Sequence, residues 1–366
     1  MYIGLIIYGS LQTISGGYLY DRQLVAHLRA LGDQVEVISL PWSSYGRHLA
    51  HNLSPRLYKR LREAPFDLLL QDELNHPSLF WLNQRLRREV AYPLISIVHH
   101  LRSSEARPAW QNRFYRSIEQ RYLASVDGFI FNSHTTREVV FGLLEPEPRE
   151  LVPPHVVAYP AGDRFQPNMS REMICARATQ SGPLRLLFVG NVTERKGLYV
   201  LLSALALLSP ADWRLDVVGN LSVEPSYSKI IKDVIEKEGL SQQLILHGAL
   251  SDSALRQRFA DSHLLVVPSS YEGFGIVYLE GMGFGLPAIA STAGAAHELI
   301  THGKNGFLVP HQEPIALARH LHTLIHSRQR LQQMSLAAHQ HYLTHPTWHQ
   351  SMTQIHRFLH HNALFD

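Results

Sequence analysis

A chain of 366 residues, 45% hydrophobic and 18% charged, is composed like a folded globular protein, which excludes a disordered segment, and its length suits two domains of roughly 100–200 residues each. Its 34 basic and 31 acidic side chains leave a formal net charge of +3, too little to argue for nucleic acid as a partner. Cys175 is the single cysteine, so a disulfide framework and a multi-thiolate metal site are both excluded.

The N-terminal MYIGLIIYGS has no basic leader and falls far short of the ~20 apolar residues of a membrane span; it reads as the buried first strand of a cytoplasmic protein. Short apolar runs then alternate with amphipathic stretches of helical length, the pattern of βαβ units around a parallel sheet. After YIGLIIY come QVEVISL, DLLLQ, LISIVHH and GFIFNS, with helices expected from Tyr18 to Leu31 and from Trp110 to Ser125. Prolines and glycine punctuate the segment from Glu145 to Phe165, and a weakly patterned polar stretch continues to Gly182, which predicts a linker. The pattern restarts with LRLLFVG, LDVVG, LILHG, LLVVPS and PAIAS. A last amphipathic helix is expected from about Trp348 to Leu364, after the break at Pro346. The expected organisation is α/β, with Rossmann-like domains over 1–165 and 166–347 and the last helix packing back on the first.

In open parallel sheets ligands bind at the carboxyl ends of the strands. In the second half those ends are Gly190-Asn191, Gly219-Asn220, Gly248, Ser269 to Gly275 and Ser291 to Gly294. Glycine at one strand end is ordinary turn geometry; PSSYEGFGIVYLEG combines more. A strand ends at Pro268-Ser269, and Gly273-Phe274-Gly275 then opens into an apolar helix carrying Glu280. Such a helix start presents backbone N–H groups and a positive dipole end to a phosphate. Glu272 and Glu280 flank it, and carboxylates accept hydrogen bonds from sugar hydroxyls.

This pattern resembles the E-x7-E signature of retaining glycosyltransferases of the GT4 family, which have the GT-B fold of two facing Rossmann-like domains with the donor and acceptor in a cleft between them. The resemblance extends to FVGNVTERKGL, LDVVGN and GAAHELITHGKNGFLVP, and more loosely to Gly16-Gly17 and GDQVEV in the first half. It implies that Glu272 contacts the donor sugar, that Glu280 takes the ribose hydroxyls, and that the backbone of Gly273, Phe274, Gly275 and Ile276 holds sugar and diphosphate. Lys196 matches the lysine on the diphosphate, where a point charge stabilises the departing nucleotide. Asn191 stands where the family commonly has arginine, with Arg195 in the same turn as a substitute. Gly219 and Gly248 fall near the base, Gly16 and Gly17 match the glycine loop on the donor phosphates, and His99 matches a strand-end histidine on the transferred sugar. His100 follows it on the acceptor side. Gln71, Asp72 and Glu73 end another strand; they either bind acceptor hydroxyls or cap the helix starting near Asn75.

The implied reaction transfers a sugar from a UDP- or GDP-sugar to a hydroxyl with retention, the catalytic set being His99, Lys196 and Glu272. No D-x-D and no zinc-spaced His or Cys cluster occurs, and Pro346 interrupts the spacing of His341, His345 and His349, so no metal or other cofactor is expected. Two alternatives stand beside this reading. One is a lipid glycosyltransferase at the inner membrane face, from the basic and aromatic mixture in RLYKRLREAPF and RPAWQNRFYRSIEQRYL. The other is a non-catalytic sugar-nucleotide-binding protein. A dehydrogenase is argued against because no G-x-G-x-x-G follows the first strand.

Overall fold

Strands buried on both faces need apolar runs without alternation, and the chain supplies them. In the computed structural model, which describes residues 1–144 and 152–361, Tyr2–Tyr8 forms β1 with all but its first residue buried. It is followed by β2 Gln34–Leu40, β3 Leu68–Asp72, β4 Leu94–Val98, β5 Gly128–Phe131 and β6 His155–Val157. Every pairing among them is parallel, in the order β2-β1-β3-β4-β5-β6. A second parallel sheet comprises β7 Leu184–Val189, β8 Trp213–Val218, β9 Leu244–Gly248, β10 Leu264–Val267, β11 Ala288–Ser291 and β12 Gly306–Val309. Its order is β12-β11-β10-β7-β8-β9. Strand order reverses between β1 and β3 in the first sheet and between β7 and β10 in the second. Such switch points leave a crevice at the carboxyl ends of the strands.

The chain divides into two units, Met1–Pro160 joined by the segment from Pro346, and Ala161–His345. The division falls a few residues ahead of the sequence-based boundary after 165. Phe165 is buried against Phe259 and Phe284, with ring centroids at 5.7 and 6.4 Å, and Arg164 bonds Glu280, so this segment folds with the second unit.

The expected linker needs two corrections. His155–Val157 pairs with β5 as a strand, unrecognised because it is three half-buried residues between prolines. The helix Arg171–Thr179 occupies the polar stretch before Gly182; it buries only Ile174 and Ala178, too few to print a period on the sequence. Residues 145–151 of that linker lie outside the described residues.

The last helix runs Trp348–Leu359 and starts at a capping box, Thr347 with Gln350. It buries Trp348, Met352, Ile355 and Phe358 in the first unit, with the Trp348 ring edge-on to Tyr20 at 5.9 Å. Residues 362–364 of the expected helix lie outside the described residues. No helix among the described residues is long and apolar enough to cross a membrane.

Candidate functional site

The switch point of the second sheet brings two distant loops together. Beyond β7 the chain makes one tight turn, Glu194–Lys196; beyond β10 it runs through Glu272 into the helix Ile276–Gly283. Lys196 Nζ donates to Glu272 Oε1 at 2.6 Å. Ser269 Oγ donates to the same oxygen at 2.6 Å, and Arg195 Nη1 stands 3.6 Å from it while bonding the Tyr271 carbonyl at 2.8 Å. Burial pushes the Glu272 carboxyl up, but Lys196 and Arg195 outweigh it and hold the group at about 2. The Lys196 ammonium is also lowered, because burial and Arg195 together exceed the attraction of Glu272. The result is an ionised pair, with Glu272 buried and Lys196 half-buried, beside the start of a helix, where backbone N–H groups lack the usual carbonyl four residues back. The Phe274 side chain is buried, 5.8 Å from the His345 ring. Packing thus turns that side chain inward at the head of the loop.

Glu280 is buried on the same helix. Arg164 Nε donates to its Oε1 at 2.8 Å, and Nη1 reaches Asp252 at 3.4 Å. Burial nevertheless dominates, and Glu280 is pushed up to about 7. Sequence reading found Glu280 but missed Arg164, which lies 116 residues away inside the presumed linker. It also named Ser269 only as a strand end, not as a partner of Glu272.

The two strand-end glycines differ. A Cβ on Gly219, at φ +157°, would stand 1.9 Å from the Gly190 carbonyl oxygen, whereas one on Gly248, at φ +70°, meets nothing within 4 Å. The first glycine is demanded by the close approach of the β7 and β8 ends, the second by backbone conformation alone. Asn191 follows Gly190, and its carbonyl accepts from the Thr193 N–H at 2.9 Å, closing the turn that leads to Lys196.

In the first unit, Ser15 caps the helix Gly16–Ala30 by accepting from the Tyr18 N–H. A Cβ on Gly17 would lie 3.1 Å from the His99 ring, so this glycine leaves room for that histidine. His99 Nε2 stands 3.3 Å from Oδ1 of the fully buried Asp21. Burial opposes a charged imidazole, but Asp21, backed by Asp72 and Glu73, raises His99 above its ordinary value. His100 points elsewhere and pairs with Glu105 at 3.0 Å.

The residues ending β3 part company because successive side chains face opposite sides of a sheet. Gln71 is fully buried and exchanges two amide hydrogen bonds with Asn83, at 3.0 and 2.9 Å. It packs a helix onto the sheet and offers nothing to an acceptor. Asp72 Oδ1 accepts from the Leu74 N–H at 3.0 Å, capping the turn Glu73–Asn75. Its carboxyl is raised by burial and by Asp21. Glu73 is pushed up to about 8 by burial.

Of the histidines near the C-terminus, His341 and His345 have ring centroids 6.1 Å apart. His349 belongs to the first unit, its ring 5.2 Å from that of His27. Three groups of carboxylates and histidines gather from separate elements: Asp33 with His356 and His360, Asp21 with Asp72 and His99, and Glu73 with His76 and Glu119. Sequence spacing could not have revealed the second, whose members come from three distant elements, or have tied Glu119 to the neighbouring Glu73 and His76 in the third.

Two family models match the chain, Glycosyltransferase Family 4 over residues 19–157 and Glycosyl transferases group 1 over residues 171–341. An uncharacterized glycosyltransferase of Methanocaldococcus jannaschii is 30% identical over 134 residues, 36% of the chain and 33% of that protein. The D-inositol 3-phosphate glycosyltransferase of Xylanimonas cellulosilytica is 28% identical over 57% of the chain and 50% of that protein. The chain thus spans a third to a half of the length of these curated relatives. The corresponding protein of Nocardiopsis dassonvillei is 26% identical over 349 residues, 86% of the chain and 77% of its own length. Among solved structures, sucrose-phosphate synthase from Thermosynechococcus elongatus superposes with a TM-score of 0.79 at 19% identity, covering 97% of each chain. HepE of Anabaena, in complex with UDP and glucose, does so at 0.73 and 22%, covering 98% of this chain and 99% of its own. At such identities the likeness is one of fold, and the fold is GT-B.

Proposed function

From the chain's membership of the GT4-type glycosyl transferases, group 1, we propose that it transfers a sugar from a nucleoside-diphosphate sugar to an acceptor hydroxyl, with retention of anomeric configuration. The observation that carries this reading is the 2.6 Å pair of Lys196 and Glu272 at the switch point of the second sheet, next to the start of Ile276–Gly283. A diphosphate bound at that helix start meets the Lys196 ammonium, and Arg195 supplies a second positive charge in the absence of the family's usual arginine at Asn191. Negative charge that builds on the leaving phosphate is then met by groups already in place, without a metal. Glu272 Oε1 already takes Lys196 and Ser269, so its role is to orient the sugar through Oε2 rather than to attack it. Glu280, oriented by Arg164, accepts from the ribose hydroxyls.

In the first unit, His99 lies next to Gly17 and is held by Asp21. A glycosidase-type pair of carboxylates is not needed, because the donor phosphate accepts the acceptor's proton. UDP is the favoured nucleotide, supported by the UDP complex of the structurally similar HepE.

The test is release of free nucleotide from a panel of UDP-, GDP- and ADP-sugars, with and without a mixed acceptor pool, for wild type and Glu272→Ala. Consumption of one donor by wild type and near silence of the variant is expected. Tight nucleotide binding with no donor consumed would instead favour the sugar-nucleotide-binding protein.

A second reading, peripheral contact with an anionic membrane, is favoured by Trp110 and Phe114. They are 72% and 45% exposed on one face of the helix Ala109–Leu123, among the exposed Arg113, Arg116 and Arg121. Aromatic side chains entering the interface with arginines at the head groups fit that arrangement. Sedimentation with anionic liposomes that weakens at high salt and is lost in Trp110→Ala supports it; no sedimentation at low salt rejects it.

A further inference from the structure

Glu73, His76 and Glu119 lie in the interior of the first unit, at 2%, 2% and 0% exposure. They come from three elements: the turn Glu73–Asn75, the helix His76–Leu86 and the helix Ala109–Leu123. One ligand atom from each falls within 4.8 Å of the other two. Two carboxylates in a protein interior call for compensating positive charge. Among the described residues no lysine or arginine forms an ion pair with either. His100, His99 and Arg102 all act on Glu73, and the Arg102 guanidinium is spread over the rings of Tyr45 and Tyr115 at 5.4 and 4.8 Å.

The three side chains are also held as metal ligands are held. His76 Nε2 is engaged by the Tyr45 hydroxyl at 3.0 Å, fixing the ring. Its Nδ1 stands 2.9 Å from Glu73 Oε1 and 3.0 Å from the Glu73 carbonyl oxygen. With the Nε2–H donating to the Tyr45 hydroxyl, Nδ1 is the ligand atom, and its lone pair faces Glu73 Oε1, which is buried with no hydrogen-bond partner. Glu119 is oriented by the Ser103 N–H, at 3.1 and 3.4 Å from its two oxygens. A neutral imidazole with two carboxylates, of which the imidazole and Glu119 are steadied by outer hydrogen bonds, is a donor set for a divalent ion of intermediate hardness.

We propose that Glu73, His76 and Glu119 bind one divalent transition-metal ion of the Zn2+ or Mn2+ kind, which ties the end of β3 to the helix Ala109–Leu123. The ion is structural, apart from the Lys196–Glu272 pair, and takes no part in sugar transfer.

The experiment uses the full chain, expressed without a histidine tag and carrying His356→Ala and His360→Ala to remove the competing group around Asp33. After dialysis against a chelator, titration with Zn2+ or Mn2+ is expected to raise Tm by several degrees and saturate near one equivalent, since an ion bound only by the folded state stabilises it. Adding Glu73→Gln and Glu119→Gln is expected to abolish the rise. Should that last variant fail to fold, Co2+ titration of the parent chain gives a second readout: a visible absorption band saturating near one equivalent is expected. The proposal is overturned if no saturable Tm rise occurs, if the rise survives both glutamine substitutions, or if no visible band develops. Metal content and Tm are read whether or not any donor is turned over, so failure here is distinct from failure of the transferase reading.

Discussion

Replacing Lys196 by alanine leaves the buried Glu272 carboxylate with Ser269 at 2.6 Å and Arg195 at 3.6 Å. The carboxyl is held at about 2 against an ordinary 4.5; at ~1.36 kcal/mol per pH unit, its partners together favour the ionised form by about 3 kcal/mol. Because the folded-state value is the lower one, this stability is fully present above pH 4.5 and fades as pH falls toward 2. The two partners do not agree on the worth of the pair, since Lys196 is itself lowered by burial. The geometry decides for a net gain smaller than the glutamate's share, because deleting Lys196 also removes the lysine's own burial penalty.

Lys196→Ala is therefore expected to cost about 2 kcal/mol at pH 7, and Glu272→Gln about 1–2 kcal/mol because it strands a buried ammonium. The double variant should lose less than the sum, with a coupling of about 2 kcal/mol. Urea unfolding followed by far-UV circular dichroism and tryptophan fluorescence measures all three. Repeated at pH 3, where the carboxyl is protonated in the unfolded chain but still ionised in the folded one, the coupling should shrink to roughly half. Single-variant losses that add within ~0.5 kcal/mol at pH 7 would refute the argument, since the pair would then not be what holds Glu272.

Lys196→Ala should also weaken UDP binding by roughly 10- to 100-fold, the range of a charge-assisted contact to phosphate, as isothermal titration calorimetry would show; unchanged affinity would place the diphosphate elsewhere. Glu280 titrates near 7 in the folded chain and near 4.5 when unfolded, so its contribution to stability falls by up to about 3 kcal/mol as pH rises through that window. The difference in stability between wild type and Glu280→Gln should follow that slope from pH 4.5 to 7. Gly219→Ala puts a methyl 1.9 Å from a carbonyl oxygen and should cost about 3 kcal/mol or more, whereas Gly248→Ala, in open space, should cost only the ~1–2 kcal/mol of a left-handed residue. Thermal melts of the two variants check this directly, and equal losses would contradict the steric account.

Much of this was legible in the sequence. Apolar runs without alternation marked most of the strands of both sheets, and EGFG opening into a helix with Glu280 marked the loop that joins β10 to the helix Ile276–Gly283. What escaped had physical reasons. In LLLQD every residue of β3 is buried, so no alternation revealed that Gln71 and Asp72 face opposite ways; of the two roles expected for this strand end, acceptor binding or capping, Asp72 caps and Gln71 is a packing amide. Arg164 and Glu280 are joined only by folding. In the group of Glu73, His76 and Glu119, the first two stand three residues apart, but nothing in the spacing ties Glu119 to them. His155–Val157 was too short to carry a period.

The chain leaves the first unit at Pro160 and returns to it at Pro346, so Trp348, Met352, Ile355 and Phe358 reach their places only after the second unit has been made. On a ribosome adding about 5–20 residues per second, the first sheet then waits on the order of 10–40 s, with the apolar side of Gly16–Ala30 uncovered, while the second unit is synthesised. The half that is translated first is finished last. Holding that surface out of unwanted association during the interval falls to whatever meets the nascent chain.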